Sequence, residues 1–232
     1  RDVILQQRRV GIVLEEVRRI AAGDGRSARN ELLDEQAQEL LDGLYIDFED
    51  QFRGSPAEVR QRLEVYIPVI RGCVAGEPAA PVLDLGAGRG EWLELLRDSG
   101  FTARGVDRNS VLVAQGRERG LSIEKADALA YLRQQPGGSL GAVTAFHVVE
   151  HLPFEAVVAL LDEALRVLKP GAVLILETPN PANLLVGSCD FYADPTHLSP
   201  FHSQTLMFLV EARGFVRVER RFLHPAPEHS LP

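Results

Sequence analysis

Val82-Leu83-Asp84-Leu85-Gly86-Ala87-Gly88-Arg89-Gly90-Glu91 carries four residues of strand character straight into a glycine-rich turn and then into the acidic first turn of a helix. Glycine lets the backbone pass close to a ligand and take φ angles that a Cβ forbids. In open α/β sheets, the carboxyl end of a strand is where ligands bind. Outward from this turn the chain alternates short apolar runs with helical segments: ARGVD, SVLVAQGRERG, LSIEKAD, ALAYLRQQ, LGAVTAFHVV, a long helix from Pro153 to about Leu168, and AVLILETP. Such alternation predicts a mostly parallel sheet with helices on both faces. The long helix places Phe154, Val157, Leu161, Leu165 and Leu168 on one face and ends at Lys169-Pro170-Gly171.

Upstream, Ser55-Pro56-Ala57-Glu58 reads as a capping box with proline at the first helical position, so a helix is expected from Pro56 to about Arg71. A further helical stretch, Glu31 to about Leu44, leads into Phe48, Phe52 and Arg53. Val3, Val10, Val13, Val17 and Ile20 form one apolar stripe, followed by a linker over 21–30. The stripe is under three heptads long; it suits packing on its own domain, dimerisation or docking to another protein. The expected organisation is an N-terminal helical extension over 1–50 and one α/β domain over 51–232.

Of the 232 residues, 45% are hydrophobic and 25% charged, enough for one well-buried core with a modest appendage. A net charge of −8 repels phosphate backbones and argues against nucleic acid as substrate. The N-terminus shows no secretory pattern and no apolar run is long enough to span a bilayer, so a soluble, cytoplasmic protein is expected. Cys73 and Cys189, the only cysteines, have no paired spacing and support neither a disulfide framework nor a thiolate metal site.

The ligand is read from three strand ends. A dinucleotide fingerprint would place glycine where Glu91 stands, and that acid opposes a phosphate; S-adenosylmethionine has none. Asp107, about 20 residues beyond the glycines, can accept both ribose hydroxyls in charge-assisted bonds worth roughly 1.5 to 3 kcal/mol each. Asp127 can take the adenine amino hydrogen while the amide of Ala128 meets the ring. Asp84 either joins this pocket or braces the glycine loop.

The fourth strand ends in Phe146-His147-Val148-Val149-Glu150-His151-Leu152-Pro153. Four of the six histidines are His147, His151, His197 and His202, and an imidazole is suited to take a hydroxyl proton near neutral pH. A long loop after the fifth strand, with Tyr192, Asp194 and His197, is where a substrate lid belongs. Asp194 and His197 can also ligate metals, but their loose spacing is a poor signature and no metal is expected.

VLDLGAGRGEWLELL, GVDRN, KADALAYL, FHVVEHLP and LKPGAVLILETPNP resemble, in order and spacing over residues 81–181, the motifs of class I S-adenosylmethionine-dependent methyltransferases. FEDQFRGSPAEVRQRLEVYIPVI and ETPNPANLLVGSCDFYADPTHLSPF are further similar to bacterial methyltransferases of O-antigen and other surface-polysaccharide synthesis, often chain-terminating. The resemblance implies a Rossmann-like fold, S-adenosylmethionine as cofactor with S-adenosylhomocysteine as product, and a sugar hydroxyl or sugar phosphate as acceptor. It implies a cofactor site of Arg53, Asp84, Gly86, Ala87, Gly88, Gly90, Trp92, Asp107, Arg108, Asp127, Ala128 and His147, with Arg53 either pairing the methionine carboxylate or serving as a surface ion-pair partner.

Methyl transfer is an in-line displacement governed by positioning. The expected base is His151 or else His197, oriented by Asp194, with Tyr66, Asn180 and Tyr192 contacting the acceptor. Rival readings are a methyltransferase for a small aromatic or quinone-like acceptor, which the TPN and EH residues also resemble, a non-catalytic nucleoside-binding partner, and an NAD-dependent dehydrogenase. Class I sheets normally close with an antiparallel pair. Phe215-Val216-Arg217-Val218-Glu219-Arg220-Arg221-Phe222-Leu223 is expected to supply one strand, leaving only 224–232 for its partner.

Overall fold

A computed structural model describes residues 40–49 and 51–223. The predicted stripe over 1–20 and the linker over 21–30 lie outside the described residues.

Among the described residues, five parallel strands form one sheet in the order β3-β2-β1-β4-β5. They are β1 (Val82–Leu85), β2 (Ala103–Asp107), β3 (Ile123–Lys125), β4 (Leu140–Phe146) and β5 (Leu168–Glu177). The order reverses between β1 and β4, so the crevice outside their carboxyl ends is the ligand position of such a sheet. Helices connect the strands: α4 (Glu91–Asp98), α5 (Ser110–Glu118), α6 (Ala128–Gln134) and α7 (Phe154–Val167).

The side-chain alternation of each strand divides the core between two faces. Val82, Ala142 and Phe146 face Trp92, Leu95 and Leu96 of α4, together with Val59, Leu63 and Ile70 from the segment before the sheet. Leu83, Leu85, Val143 and Ala145 face Leu132 of α6 and Leu160 and Val167 of α7. β4 is buried along its whole length, as an interior strand of a sheet covered on both sides must be.

The expected helix from Pro56 is present as α2 (Pro56–Leu63), a 3₁₀ turn (Glu64–Tyr66) and α3 (Ile67–Arg71). Its capping box forms as read: the Ser55 hydroxyl accepts from the Glu58 amide and the Glu58 carboxylate accepts from the Ser55 amide. Before it, residues 40–49 are helical (α1), running past the expected end at Leu44. α1 is docked rather than free. The Asp42 carboxylate accepts from the amide and hydroxyl of Ser110, both at 2.9 Å, and the Asp42 carbonyl accepts from the Asn109 side chain.

One expectation is corrected. Residues 215–223 form no strand, and Val216 is 82% exposed. The valine alternation there has the right period, but a strand exists only where a neighbour takes its hydrogen bonds. Among the described residues, β5 remains the outer strand. After it the chain forms a long loop with α8 (Leu184–Ser188) and a 3₁₀ turn (Asp190–Ala193), then α9 (Ser203–Ala212). Among the described residues, no helix is long and apolar enough to cross a membrane.

Candidate active site

The glycine loop after β1 takes three left-handed conformations, with φ of 66° at Gly86, 52° at Gly88 and 84° at Gly90. A Cβ on Gly86 would lie 2.6 Å from Cγ2 of Val148, so the loops after β1 and β4 touch there. Asp107 pins the loop from β2: its Oδ2 accepts from the Gly88 amide and its Oδ1 from the Asn109 amide, both at 2.8 Å. Each oxygen keeps a second lone pair. Asp127 caps α6 by accepting from the Ala130 amide, which sets Ala128 at the first helical position. Arg108 is exposed. Glu91 is buried and ion-paired to Arg89 at 2.7 Å, so part of its charge is neutralised and its case against a phosphate weakens.

Asp84 and Thr144 are direct neighbours in the β1–β4 register. The Thr144 hydroxyl donates to Asp84 Oδ1 at 2.7 Å and accepts the indole N–H of Trp92 at 3.1 Å. Burial pushes the Asp84 carboxyl up to about 7, against the Thr144 hydrogen bond that lowers it. Trp92 is only 2% exposed. Expected at the cofactor, it is instead a core side chain that holds Thr144, because the first turn of α4 packs its large apolar residues against β1 and β4.

Arg53 lies across the loop, its Nη1 3.2 Å from where a Gly88 Cβ would stand. It donates to Glu49 Oε1 at 2.7 Å, one helical turn back. Burial raises the Glu49 carboxyl, and its Oε2 has no hydrogen-bond partner. His147 follows β4 with φ of 56°, which turns its ring between two carboxylates. Its Nδ1 is 3.1 Å from Glu150 Oε1 and its Nε2 3.5 Å from Glu177 Oε1. Burial opposes the imidazolium, but these two acids raise its pKa to about 9. Glu177 also accepts from the Tyr66 hydroxyl; Tyr66, expected at the acceptor, is buried and orders this acid instead.

The loop after β5 is anchored on Glu150, whose carbonyl accepts the amides of Leu198 and Ser199. This brings His197 against His151, ring centres 4.7 Å apart. The Asp194 carboxylate accepts from the Thr196 amide at 2.8 Å, the Thr196 hydroxyl at 2.6 Å and the Tyr45 hydroxyl at 3.2 Å. Burial works against its charge, yet the Thr196 bonds hold it below the usual carboxylate range. The Thr196 oxygen lies 2.9 Å from His151 Nδ1. Tyr192 is largely exposed, and Asn180 accepts from the Ala182 amide.

Of the expected residues, Arg53, His147, Asp194 and His197 line one cavity of about 280 Å³, together with Tyr45, Phe48, Glu49, Phe52, Arg62, Asp190 and Ala193. Sequence reading missed the contribution of α1. Its signal was the i, i+4 pair Glu49 and Arg53 beside three aromatic residues. It also missed Thr196, whose place between Asp194 and His197 in D-P-T-H was the available sign.

Residues 53–220 match the family described as Methyltransferase domain. A SAM-dependent methyltransferase from Archaeoglobus fulgidus is 39% identical with a TM-score of 0.69, over 75% of this chain and 76% of that one. A probable S-adenosylmethionine-dependent methyltransferase of Mycolicibacterium smegmatis is 31% identical over 58% of this chain and 51% of its own length. One of Mycobacterium tuberculosis is 29% identical over 68% and 56%. The chain thus spans about half the length of the curated relatives it matches. It belongs to the S-adenosylmethionine-dependent methyltransferases. The residues fit that cofactor: left-handed glycines open a cradle, Asp107 ends β2 with lone pairs to spare, and Arg53 offers a cation beside the loop.

Proposed function

We propose that the chain transfers a methyl group to a hydroxyl oxygen of a polar, sugar-like acceptor, a sugar or sugar phosphate of bacterial surface-polysaccharide assembly. S-adenosylmethionine, when bound, supplies a methyl group made electrophilic by the adjacent sulfonium. Asp107 would accept the ribose hydroxyls, Asp127 and the Ala128 amide would meet the adenine, and Arg53 would pair with the methionine carboxylate, sharing its guanidinium with Glu49. Gly86, Ala87, Gly88 and Gly90 bring backbone rather than side chains to the cofactor.

The observation that carries the oxygen acceptor is the Asp194, Thr196 and His151 relay. A carboxylate only accepts, so the Thr196 hydroxyl spends its single proton on Asp194. Its oxygen must then accept from His151 Nδ1–H. That fixes the tautomer and leaves a lone pair on Nε2, the state a general base needs. Burial lowers the His151 pKa, which keeps the ring neutral near pH 7. Support for the acceptor class comes from the cavity wall, where Arg62, Asp190 and Asp194 supply charge beyond the Glu49–Arg53 pair given to the cofactor, and Phe48 and Phe52 supply flat apolar faces. Charged groups left facing an apolar ring would be desolvated without partners, which disfavours a quinone-like acceptor.

Release of S-adenosylhomocysteine should be followed with panels of sugars, sugar phosphates and phenols. Turnover on the first two, cut at least about tenfold in His151→Gln with cofactor affinity kept, is the expected result. Turnover confined to phenols would overturn the acceptor class, and full activity of the variant would overturn the base.

A further inference from the structure

We infer that Glu150, His151 and His197 form a binding site for a divalent transition-metal cation. One ligating atom from each of the three lies within 4.8 Å of the others. The hydrogen bonds around the cluster decide which atoms are left to ligate. The Phe191 carbonyl can only accept, so His197 Nδ1, 2.6 Å away, carries a proton. His151 Nδ1 is protonated toward Thr196, as argued above. With Nδ1 occupied in both rings, Nε2 is the nitrogen each has left to offer a cation. Glu150 is completely buried; its Oε1 is taken by His147, and its Oε2 has no hydrogen-bond partner.

Three ligand-bearing side chains meet here, and a buried carboxylate oxygen without a partner is costly. A cation satisfies all three at once. Imidazoles held through Nδ1 by a carbonyl or a hydrogen-bonded hydroxyl are what metal-binding histidines show, since the outer bond fixes the tautomer and aims the ring. Asp194 Oδ2, 3.8 Å from His197 Nε2, is a fourth donor within reach. Two imidazoles and a carboxylate suit Zn²⁺ or Mn²⁺ better than the all-oxygen preference of Mg²⁺ or Ca²⁺. Ligands about 2.0 to 2.2 Å from a tetrahedral zinc sit roughly 3.4 Å from one another, a separation inside the 4.8 Å limit that the three atoms meet.

The proposal concerns the same residues, replaces the base role of His151 in the metal-bound form, and rests on the hydroxyl acceptor only for what the metal does. With the cation seated, His151 is a ligand and no longer the base; the cation would instead acidify a hydroxyl at its open position, whose proton would leave to solvent water.

The test is calorimetric titration of tag-free protein with Zn²⁺, beside His151→Gln and His197→Gln. One equivalent should bind, with affinity at least about tenfold weaker in each variant. In the wild type alone, ¹⁵N spectra of the imidazoles should show two Nε2 resonances moving at one equivalent while His147 and His202 stay in place. No saturable binding, unchanged affinity in the variants, or movement of other imidazoles overturns the site. Such a failure leaves the base reading standing, because that is tested by turnover without metal.

Discussion

Asp107 Oδ2 accepts the amide hydrogen of Gly88 at 2.8 Å, joining the end of β2 to the middle of the glycine loop. The carboxylate read as the ribose acceptor thus also shapes the backbone the cofactor lies against. Asp107→Ala should therefore loosen the loop without ligand. Loss of a bond worth about 1 to 2 kcal/mol predicts that the Gly88 amide exchanges with solvent roughly tenfold faster. Exchange at the wild-type rate would show that the bond does not form in solution.

Gly86→Ala should be among the most damaging loop changes. Its φ of 66° and the 2.6 Å approach of a Cβ to Val148 combine backbone strain with a clash. A loss of about 1 to 3 kcal/mol in urea unfolding is expected. Gly100→Ala, with a similar φ of 83° but nothing within 4 Å, isolates the strain and should cost less. Equal losses would remove the clash from the account.

Asp84 sets a pH dependence. Its folded-state carboxyl lies at about 7, above the ordinary 3.8. Between about pH 4 and 7 the unfolded chain loses this proton while the native chain keeps it, so the group's contribution to stability falls as pH rises and levels off above 7. Asp84→Asn keeps an acceptor for Thr144 but cannot ionise. Its stability relative to wild type should improve from pH 4 to pH 8. A constant difference across that range would mean the carboxyl titrates normally.

Thr196→Val removes the hydroxyl between Asp194 and His151 while keeping the side-chain shape. A kcat lower by about 10- to 100-fold with an unchanged cofactor KM is expected, largely restored in Thr196→Ser. Loss in cofactor KM alone would place Thr196 in binding and not in the relay.

The sheet was legible because its signals are local. Apolar runs of strand length, the capping box at Ser55 and the glycines after Leu85 each act within a few residues. That Asp107 ends β2 was legible for the same reason, since the apolar run stops there. The unformed strand at 215–223 was not legible, since a period-two pattern says nothing of whether a partner edge exists. The role of α1 was missed for a related reason: its hold on Ser110 and Asp194 spans 68 and 149 residues, and no local pattern encodes such contacts. Trp92 was misplaced because adjacency to a ligand loop in sequence does not fix the direction of a helical side chain.

The central claim, a nucleoside cofactor without phosphate held by the strand-end acids, is tested most directly by calorimetric titration with S-adenosylhomocysteine and, in parallel, NAD, on wild type and Asp107→Ala. The account predicts saturable binding of S-adenosylhomocysteine alone, weakened in the variant by roughly 10- to 100-fold, as loss of one or two charge-assisted bonds requires. Binding of NAD, or equal affinity of wild type and variant for S-adenosylhomocysteine, would contradict it.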